Sequence, residues 1–290
     1  MPVRLAAATL LCLVFAAGRA ADAAKHTLWE LHGEHNIVFV LGSIHVLRPS
    51  DYPLDAAVLD AYGRAQALVM EIDLGAEGED QIQSEMLASA TLPSDRSLAT
   101  VLGAARYERA TRLARGVGVD LSMFERFTPW FVAEAISVLE LAQLGFRPES
   151  GVEMYFLDKA RADGKPISGL ETARDQIALF ENMRLEQQSE YLVSSLEQAD
   201  ALPGEIGEMV RAWRAGDTGW FDRQLRQELG DDPALYESLI VERNRKWLPK
   251  IEALLRERRN YLVIVGTGHL VGRSSVLALL ERDGFSAVQR

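Results

Sequence analysis

Two histidines in this sequence follow the same short pattern of residues, which is suited to holding a metal ion or activating water. The stretch Gly42-Ser43-Ile44-His45 follows the apolar run 37–41, and Gly266-Thr267-Gly268-His269 follows the apolar run 261–265. A glycine at the end of a strand lets the backbone turn sharply or approach a ligand closely. We therefore expect each histidine to project beyond the carboxyl end of a buried strand.

Two glutamates occupy comparable positions. Glu71 ends the apolar run 68–70, and Glu171 ends the stretch 167–170. Open α/β sheets bind ligands outside the carboxyl ends of their strands. If the four strands are parallel, the two imidazoles and the two carboxylates meet at one rim of the sheet.

Two imidazoles with one or two carboxylates are a ligand set for a divalent cation such as Zn, Mn, Co or Fe(II). Such a cation activates water and polarises a carbonyl, and a nearby carboxylate can act as a base, so the set predicts hydrolysis. Which glutamate ligates and which accepts a proton stays open. For each Gly-x-x-His unit alone, a hydrogen-bonded structural histidine is the alternative, and the spacing His-Glu-x-x-His is absent.

The strands that must position these residues lie towards the two ends of the chain, with helical patterns between them. This arrangement predicts an α/β fold: a central mixed sheet built from N- and C-terminal strands, with a long helical insertion at 80–162, in one domain over 25–290. Asp73 shares a strand face with Glu71, and we expect it to cap the following turn or to support a ligating histidine. The predicted strands are 27–31, 37–41, 67–73, 166–171, 261–265 and 285–288, and the predicted helices occupy 54–62, 80–162, 173–257 and 274–281.

The first 24 residues have the outline of a secretory signal peptide. Arg4 precedes the uncharged apolar run 5–17, and Ala21-Asp22-Ala23 offers a cleavage site. The run is shorter than the roughly 20 residues that span a bilayer, so we expect no membrane span after cleavage. Cys12 is the only cysteine, which leaves the mature chain without thiols and excludes disulfides and thiolate metal sites. We expect a periplasmic or secreted protein.

The charge of the chain restricts its partners. The formal net charge is −11 at pH 7, and no basic stripe offsets it. Nucleic acid and anionic membrane surfaces are therefore poor partners. A peptide or protein substrate is compatible with this charge, and the oligomeric state is left open.

Several motifs, in order, resemble those of the TraB/GumN family. They run from about residue 27 to the C-terminus and include the two Gly-x-x-His units. The remaining motifs are Val69-Met70-Glu71-Ile72-Asp73, Gly164-Lys165-Pro166, Gly169-Leu170-Glu171-Thr172 and Glu242-Arg243-Asn244. That family is related to the Tiki proteins, described as metal-dependent proteases, and more distantly to erythromycin esterase-like and ChaN-like proteins.

The resemblance implies roles for individual residues. His45 and His269 would be metal ligands, Glu71 a ligand or general base, and Glu171 a weaker candidate for either role. Arg243 and Asn244 would stabilise an oxyanion or orient a substrate carboxylate, the alternative being a solvated helix face. The chain departs from the family in one place, because Glu153 stands where an aspartate is more common. The five tryptophans are interpreted as packing residues: Trp29, Trp130, Trp213, Trp220 and Trp247.

Together these observations predict an exported metal-dependent hydrolase, peptidase-like, that uses Mn, Co or Zn. The first alternative is a non-catalytic envelope protein that binds haem, a metal or a small ligand in the same crevice. The second is an accessory to exopolysaccharide or envelope assembly. Metal binding that requires both histidines would favour the hydrolase, and a haem spectrum that requires one of them would favour the binding protein.

Overall fold

A six-stranded mixed sheet forms the centre of the protein in a computed structural model that describes residues 25–230 and 232–290. The strand order across the sheet is β4-β3-β5-β2-β1-β6. The four strands β4, β3, β5 and β2 run parallel to one another, while β1 is antiparallel to both β2 and β6. The strands are β1 (Leu28–His32), β2 (Ile37–Ser43), β3 (Ala67–Ile72), β4 (Ile167–Glu171), β5 (Tyr261–Gly266) and β6 (Ala287–Gln289).

Helices cover the sheet and form most of the chain between β3 and β5. A π-helical turn, Glu237–Val241, leads directly into the last long helix before β5, and the turn Thr267–Leu270 after β5 is a 3₁₀-helix. The α-helices are α1 (Ala56–Arg64), α2 (Leu74–Glu77), α3 (Glu79–Ala90), α4 (Leu98–Leu102), α5 (Ala104–Gly116), α6 (Pro129–Gln143), α7 (Val152–Asp163), α8 (Ala173–Glu181), α9 (Leu185–Gln198), α10 (Leu202–Arg214), α11 (Thr218–Leu229), α12 (Pro233–Tyr236), α13 (Glu242–Leu255) and α14 (Val276–Arg282). The other 3₁₀-helices are Pro49–Asp51, Leu121–Phe124 and Pro148–Ser150.

The central strands are apolar on both faces, as expected for parallel strands covered by helices. Phe39 and Ile264 pack into the core on one side, where α1, α7 and α10 lie. Val40 and Val263 pack into the core on the other side, beneath α13 and α14. Continuous apolar runs therefore form these strands because almost every position in them is buried. The predicted α/β class with a mixed sheet is confirmed.

A third cluster of buried residues lies among the helices of the middle region. It joins α4, α5 and α6 to α9. Within the predicted insertion at 80–162, α3 to α6 precede α7, and α7 packs against the sheet core through Val152 and Phe156 rather than into this cluster. The cluster is thus an added helical layer beside the sheet.

The predicted signal peptide at 1–24 lies outside the described residues. Among residues 25–230 and 232–290, no helix has both the length and the apolar character needed to cross a membrane.

Candidate functional site

The parallel strands bring their carboxyl ends to one edge of the sheet. Ser43 at the end of β2 pairs with Gly266 at the end of β5, and Ile72 of β3 pairs with Glu171 of β4. The loop after β2 and the 3₁₀ turn after β5 then carry His45 and His269. The parallel register places the ends of neighbouring strands side by side, so the segments that follow them leave the sheet at the same edge.

A cleft of about 620 Å³ opens at this edge. Its lining includes His45, Glu71, Arg243, Gly266 and His269. Both histidines therefore face the same cavity, together with one of the two glutamates. Glu171 lies on the far side of the arginine and lines a separate cavity of about 780 Å³.

Gly42 allows the two strand ends to approach closely. A Cβ atom at Gly42 would lie 2.9 Å from the hydroxyl oxygen of Thr267, which is too close for a rigid contact. The Thr267 hydroxyl donates to the Ser43 carbonyl at 2.9 Å, and Trp213 Nε1 donates to the Gly42 carbonyl at 2.6 Å. These bonds fix the turns that carry the histidines.

Gly266 leaves open the point on which the site converges. A Cβ atom there would lie 3.3 Å from Glu71 Oε1, 3.7 Å from His45 Nε2 and 3.7 Å from His269 Cδ2. A Cβ atom would be in tight contact with Glu71 and in ordinary contact with both rings, so a larger side chain would occupy the space between the three groups. The glycine of the second Gly-x-x-His unit therefore keeps this space open.

Glu71 is a buried, ionised carboxylate. Its Oε1 accepts the Gly266 N–H at 2.7 Å, and its Oε2 accepts Arg243 Nη2 at 2.6 Å and Gln176 Nε2 at 2.9 Å. Burial alone would raise the pKa of Glu71, but its polar and charged neighbours outweigh burial and lower the pKa to about 2. Arg243 is the permanent cation among them, so Glu71 stays charged and is a poor proton acceptor at neutral pH.

Arg243 occupies the centre of the polar cluster. Its Nη2 bonds Glu71 and also Glu171 Oε1 at 2.7 Å, and its Nε bonds Glu171 Oε1 at 3.1 Å. Its Nη1 bonds the Leu239 carbonyl at 3.2 Å and His269 Nε2 at 3.0 Å. All five N–H groups of a guanidinium are thereby used. Arg243 is a nearly buried internal cation, not part of a solvated helix face, and it donates to a substrate only by releasing one of these bonds.

Glu171 anchors this arginine. Besides its bonds to Arg243, it accepts Trp247 Nε1 on Oε2 at 3.0 Å and Gln176 Nε2 on Oε1 at 2.9 Å. Both of its oxygens are therefore occupied by partners within the protein. Since Glu171 also does not line the cleft, its geometry suits positioning Arg243 more than taking a proton from water.

Asn244 determines the orientation and tautomer of His269. The asparagine is fully buried, its Nδ2 donates to the Ser274 carbonyl at 2.8 Å, and its Oδ1 lies 2.7 Å from His269 Nδ1. His269 Nδ1 must donate to this oxygen, because the amide nitrogen is already committed elsewhere. The lone pair is then on Nε2, which accepts from Arg243. Burial lowers the pKa of His269 to about 3, so the ring is neutral.

His45 is held in a similar way by Glu153. Its Nδ1 lies 2.7 Å from Glu153 Oε1, which also accepts the Ser43 hydroxyl. Its side chain remains 71% exposed along the cleft, and within the described part of the chain Nε2 has no hydrogen-bond partner. The adjacent Glu153 carboxylate raises the pKa of His45 to about 9. Burial would raise the pKa of Glu153, but His45 and Ser43 hold it below its usual range.

Three further site residues carry no clear signal of their role in the sequence. Glu153 differs from the family pattern, and it orients His45 from its first-turn position in α7. Trp247 is buried, as expected for a packing residue, but its ring centroid also lies 4.4 Å from that of His269 and 4.7 Å from the Arg243 guanidinium. Gln176 links the two glutamates, and its sequence context offers no signal of this role.

The chemistry of these donors fits a divalent cation. Both histidines have Nδ1 held by a protein acceptor, which leaves Nε2 for a ligand, as in metal sites where a second residue orients the imidazole. His45 Nε2 has no hydrogen-bond partner among the described residues, but it carries a proton at neutral pH that a bound cation would displace, while His269 Nε2 is held by Arg243. Accordingly, across residues 25–230 and 232–290 no set of three or more metal-binding side chains is assembled at coordination geometry. Completing the set requires His269 to be released from Arg243.

Comparisons with known proteins agree with the motifs. The model of the TraB/PrgY/gumN family matches residues 27–289. An uncharacterised protein of Escherichia coli, YbaP, is 25% identical over 243 residues, which cover 83% of this chain and 87% of that protein. An uncharacterised protein of Treponema pallidum is 23% identical over 274 residues, covering 89% and 81% of the two chains.

A more distant relative has a named activity. The zebrafish (Danio rerio) protein named Metalloprotease TIKI2 is 22% identical over 299 residues, which cover 85% of this chain and 57% of that protein. No solved structure matches the chain significantly, so the expected likeness to erythromycin esterase-like and ChaN-like proteins stays a prediction. On the family match over nearly the whole described chain, this protein belongs to the TraB/PrgY/gumN family.

Proposed function

We propose that this protein is an exported hydrolase of peptide or similar amide bonds, and that it uses a divalent cation held by His45, Glu71 and His269. The observation that carries the proposal is the paired orientation of the histidines. Each ring has Nδ1 fixed by an acceptor within the protein, Glu153 or Asn244, and each directs its other edge towards the cavity beside Gly266. Two histidines with purely structural roles would not both need a fixed Nδ1 and an Nε2 edge that faces the same cavity.

Glu71 suits the role of ligand better than that of base. Its low pKa keeps it anionic, and among the described residues its Oε1 accepts only the Gly266 N–H. A cation in this place would supply a Lewis acid that polarises the scissile carbonyl and makes water a better nucleophile. Imidazole and carboxylate ligands without thiolates are compatible with Mn, Co or Zn.

The remaining residues prepare the site. Glu153 keeps the His45 ring turned with Nε2 towards the cleft, and Asn244 holds His269 in the Nδ1–H tautomer. Arg243 provides permanent positive charge at the wall of the cleft, where negative charge develops on a carbonyl oxygen during hydrolysis. Glu171 and Trp247 keep that guanidinium in place.

Hydrolysis of peptides is supported by the metalloprotease name of the zebrafish relative. Export, to the periplasm or outside the cell, is supported by the basic, apolar and A-x-A pattern of the first 24 residues. The mature protein carries the same cleft in either compartment.

Turnover of quenched-fluorescent peptides tests this proposal. The protein is stripped with a chelator, and Mn, Co or Zn is restored one at a time. We expect cleavage only after restoration, and a loss of at least a hundredfold in Glu71→Gln, because removing a cation ligand removes its chemistry. Glu208→Gln, on an exposed part of α10, serves as the matched control and should cleave normally. Cleavage that is independent of metal, or equal in Glu71→Gln and Glu208→Gln, would contradict the proposal.

A further inference from the structure

A second, apolar pocket of about 560 Å³ lies beside the cleft. It is enclosed by α3, α6 and α8, and Ile72, the residue after Glu71 in β3, forms part of its wall. Apart from Glu134 and Gln176, its lining side chains are apolar. Pockets of this size and composition bind small molecules or side chains of larger ligands.

The apolar pocket is continuous with the proposed hydrolytic site. Glu134 and Val138 line both the pocket and the cleft. Gln176 lines the pocket and also donates to Glu71 and Glu171, each at 2.9 Å. A group that fills the pocket is thus held directly beside the ionised carboxylate of the cleft.

The pocket leaves apolar surface exposed to water. Met86, Val138 and Leu139 are 39%, 43% and 45% exposed. At one wall Trp130 stacks on Phe180, with ring centroids 5.2 Å apart and an interplanar angle of 20°. Covering this surface with an apolar group is favourable, and an aromatic group gains further from contact with the aromatic wall.

We infer that this pocket binds a bulky apolar side chain, preferably aromatic, of a peptide whose backbone lies in the adjoining cleft. The pocket would then select substrates by the residue next to the reacting bond. The identity of the occupant rests on the proposed function, because continuity with the cleft is what points to a side chain of the substrate. The apolar character of the pocket does not depend on catalysis.

Isothermal titration of two peptides tests the inference without turnover. The probes are acetylated pentaalanine amide and the same peptide with a central phenylalanine, titrated into the His45→Ala protein. Fully burying a phenyl group is worth about 1.5–3 kcal/mol, so we expect binding about tenfold to a hundredfold tighter for the phenylalanine peptide. Equal affinities would overturn the inference.

Variants of the pocket locate the effect. Ala135→Phe adds a ring within the lining and should abolish the preference, whereas Ala142→Phe, on an exposed part of the same helix outside the pocket, should keep it. Leu139→Asp places a charge at an exposed lining position, where the fold tolerates it, and should also reduce the preference. A preference that survives both lining variants would overturn the inference.

The two proposals fail in different ways. Tight binding of the phenylalanine peptide, with no cleavage by the metal-restored native chain, would retain the pocket and reject the hydrolase. Metal-dependent cleavage with no preference for the phenylalanine peptide would retain the hydrolase and reject the pocket.

Discussion

Replacement of Arg243 by methionine should destabilise the protein strongly, because the arginine compensates two buried carboxylates. Its side chain is 12% exposed, and those of Glu71 and Glu171 are 11% and 8% exposed. Methionine keeps the packing against Trp247 approximately but removes the charge. Breaking a buried ion pair by removing one partner costs about 3–5 kcal/mol, so we expect the free energy of unfolding at pH 7 to fall by that amount.

Urea denaturation at pH 7 measures this loss, with Arg245→Met as the matched control. Arg245 lies two residues away on α13, is 62% exposed and pairs with Glu237 at the surface. Exposed pairs contribute about 0–1 kcal/mol, so the control should lose no more than that. If the two variants have equal m-values, the difference between their urea midpoints reflects a difference in the free energy of unfolding.

The pH dependence gives the same prediction a second test. In the native chain the lowered pKa of Glu71 contributes stability above the unfolded-state value near 4.5, and this contribution is lost as the pH falls towards 2. Without the arginine the pKa of Glu71 rises, so the difference between Arg243→Met and the native chain should shrink below about pH 4.5. A loss under about 1 kcal/mol at pH 7, or one independent of pH, would refute the reasoning.

Two further predictions concern other titratable side chains. Glu153→Gln should lower the pKa of His45 from about 9 towards 6.5 in an NMR titration. It should also remove the stabilisation by the His45–Glu153 pair, which is complete below pH 6.5 and is lost as the pH rises through 9. An unchanged His45 titration would contradict the role of Glu153. Glu140→Leu should stabilise the chain by about 1–3 kcal/mol at pH 7, because burial raises the pKa of Glu140 and its Oε1 has no partner within the described residues. This gain should diminish below the unfolded-state pKa of the glutamate, and a destabilised variant in urea would contradict it.

The apolar runs were sufficient to predict the central strands, because almost every position of a central parallel strand is buried. The runs at 37–41 and 261–265 correspond to β2 and β5, and the run at 67–73 contains β3. The expectation that Asp73 caps the following turn is also confirmed, since its carboxylate accepts the Gly75 and Ala76 N–H groups. These features depend on local pattern, which a sequence displays directly.

The partners within the site were not predictable in this way. Glu153 reaches His45 from α7, a helix far along the chain, and whether it does so depends on how that helix packs against β2. The use of all five N–H groups of Arg243 depends likewise on three distant segments meeting. Residue types indicated which side chains have useful chemistry, but only packing determines which of them are already paired.

Metal analysis of the purified chain tests the central claim most directly. The stripped protein is incubated with Mn, Co or Zn, and the bound metal is counted in the native chain, in His45→Ala, in His269→Ala and in His35→Ala, an exposed histidine of the first hairpin. We predict one ion per native chain and per His35→Ala chain, and none in the other two variants, each checked for native circular dichroism. Full uptake by folded His45→Ala and His269→Ala, or no uptake by the native chain, would contradict the account.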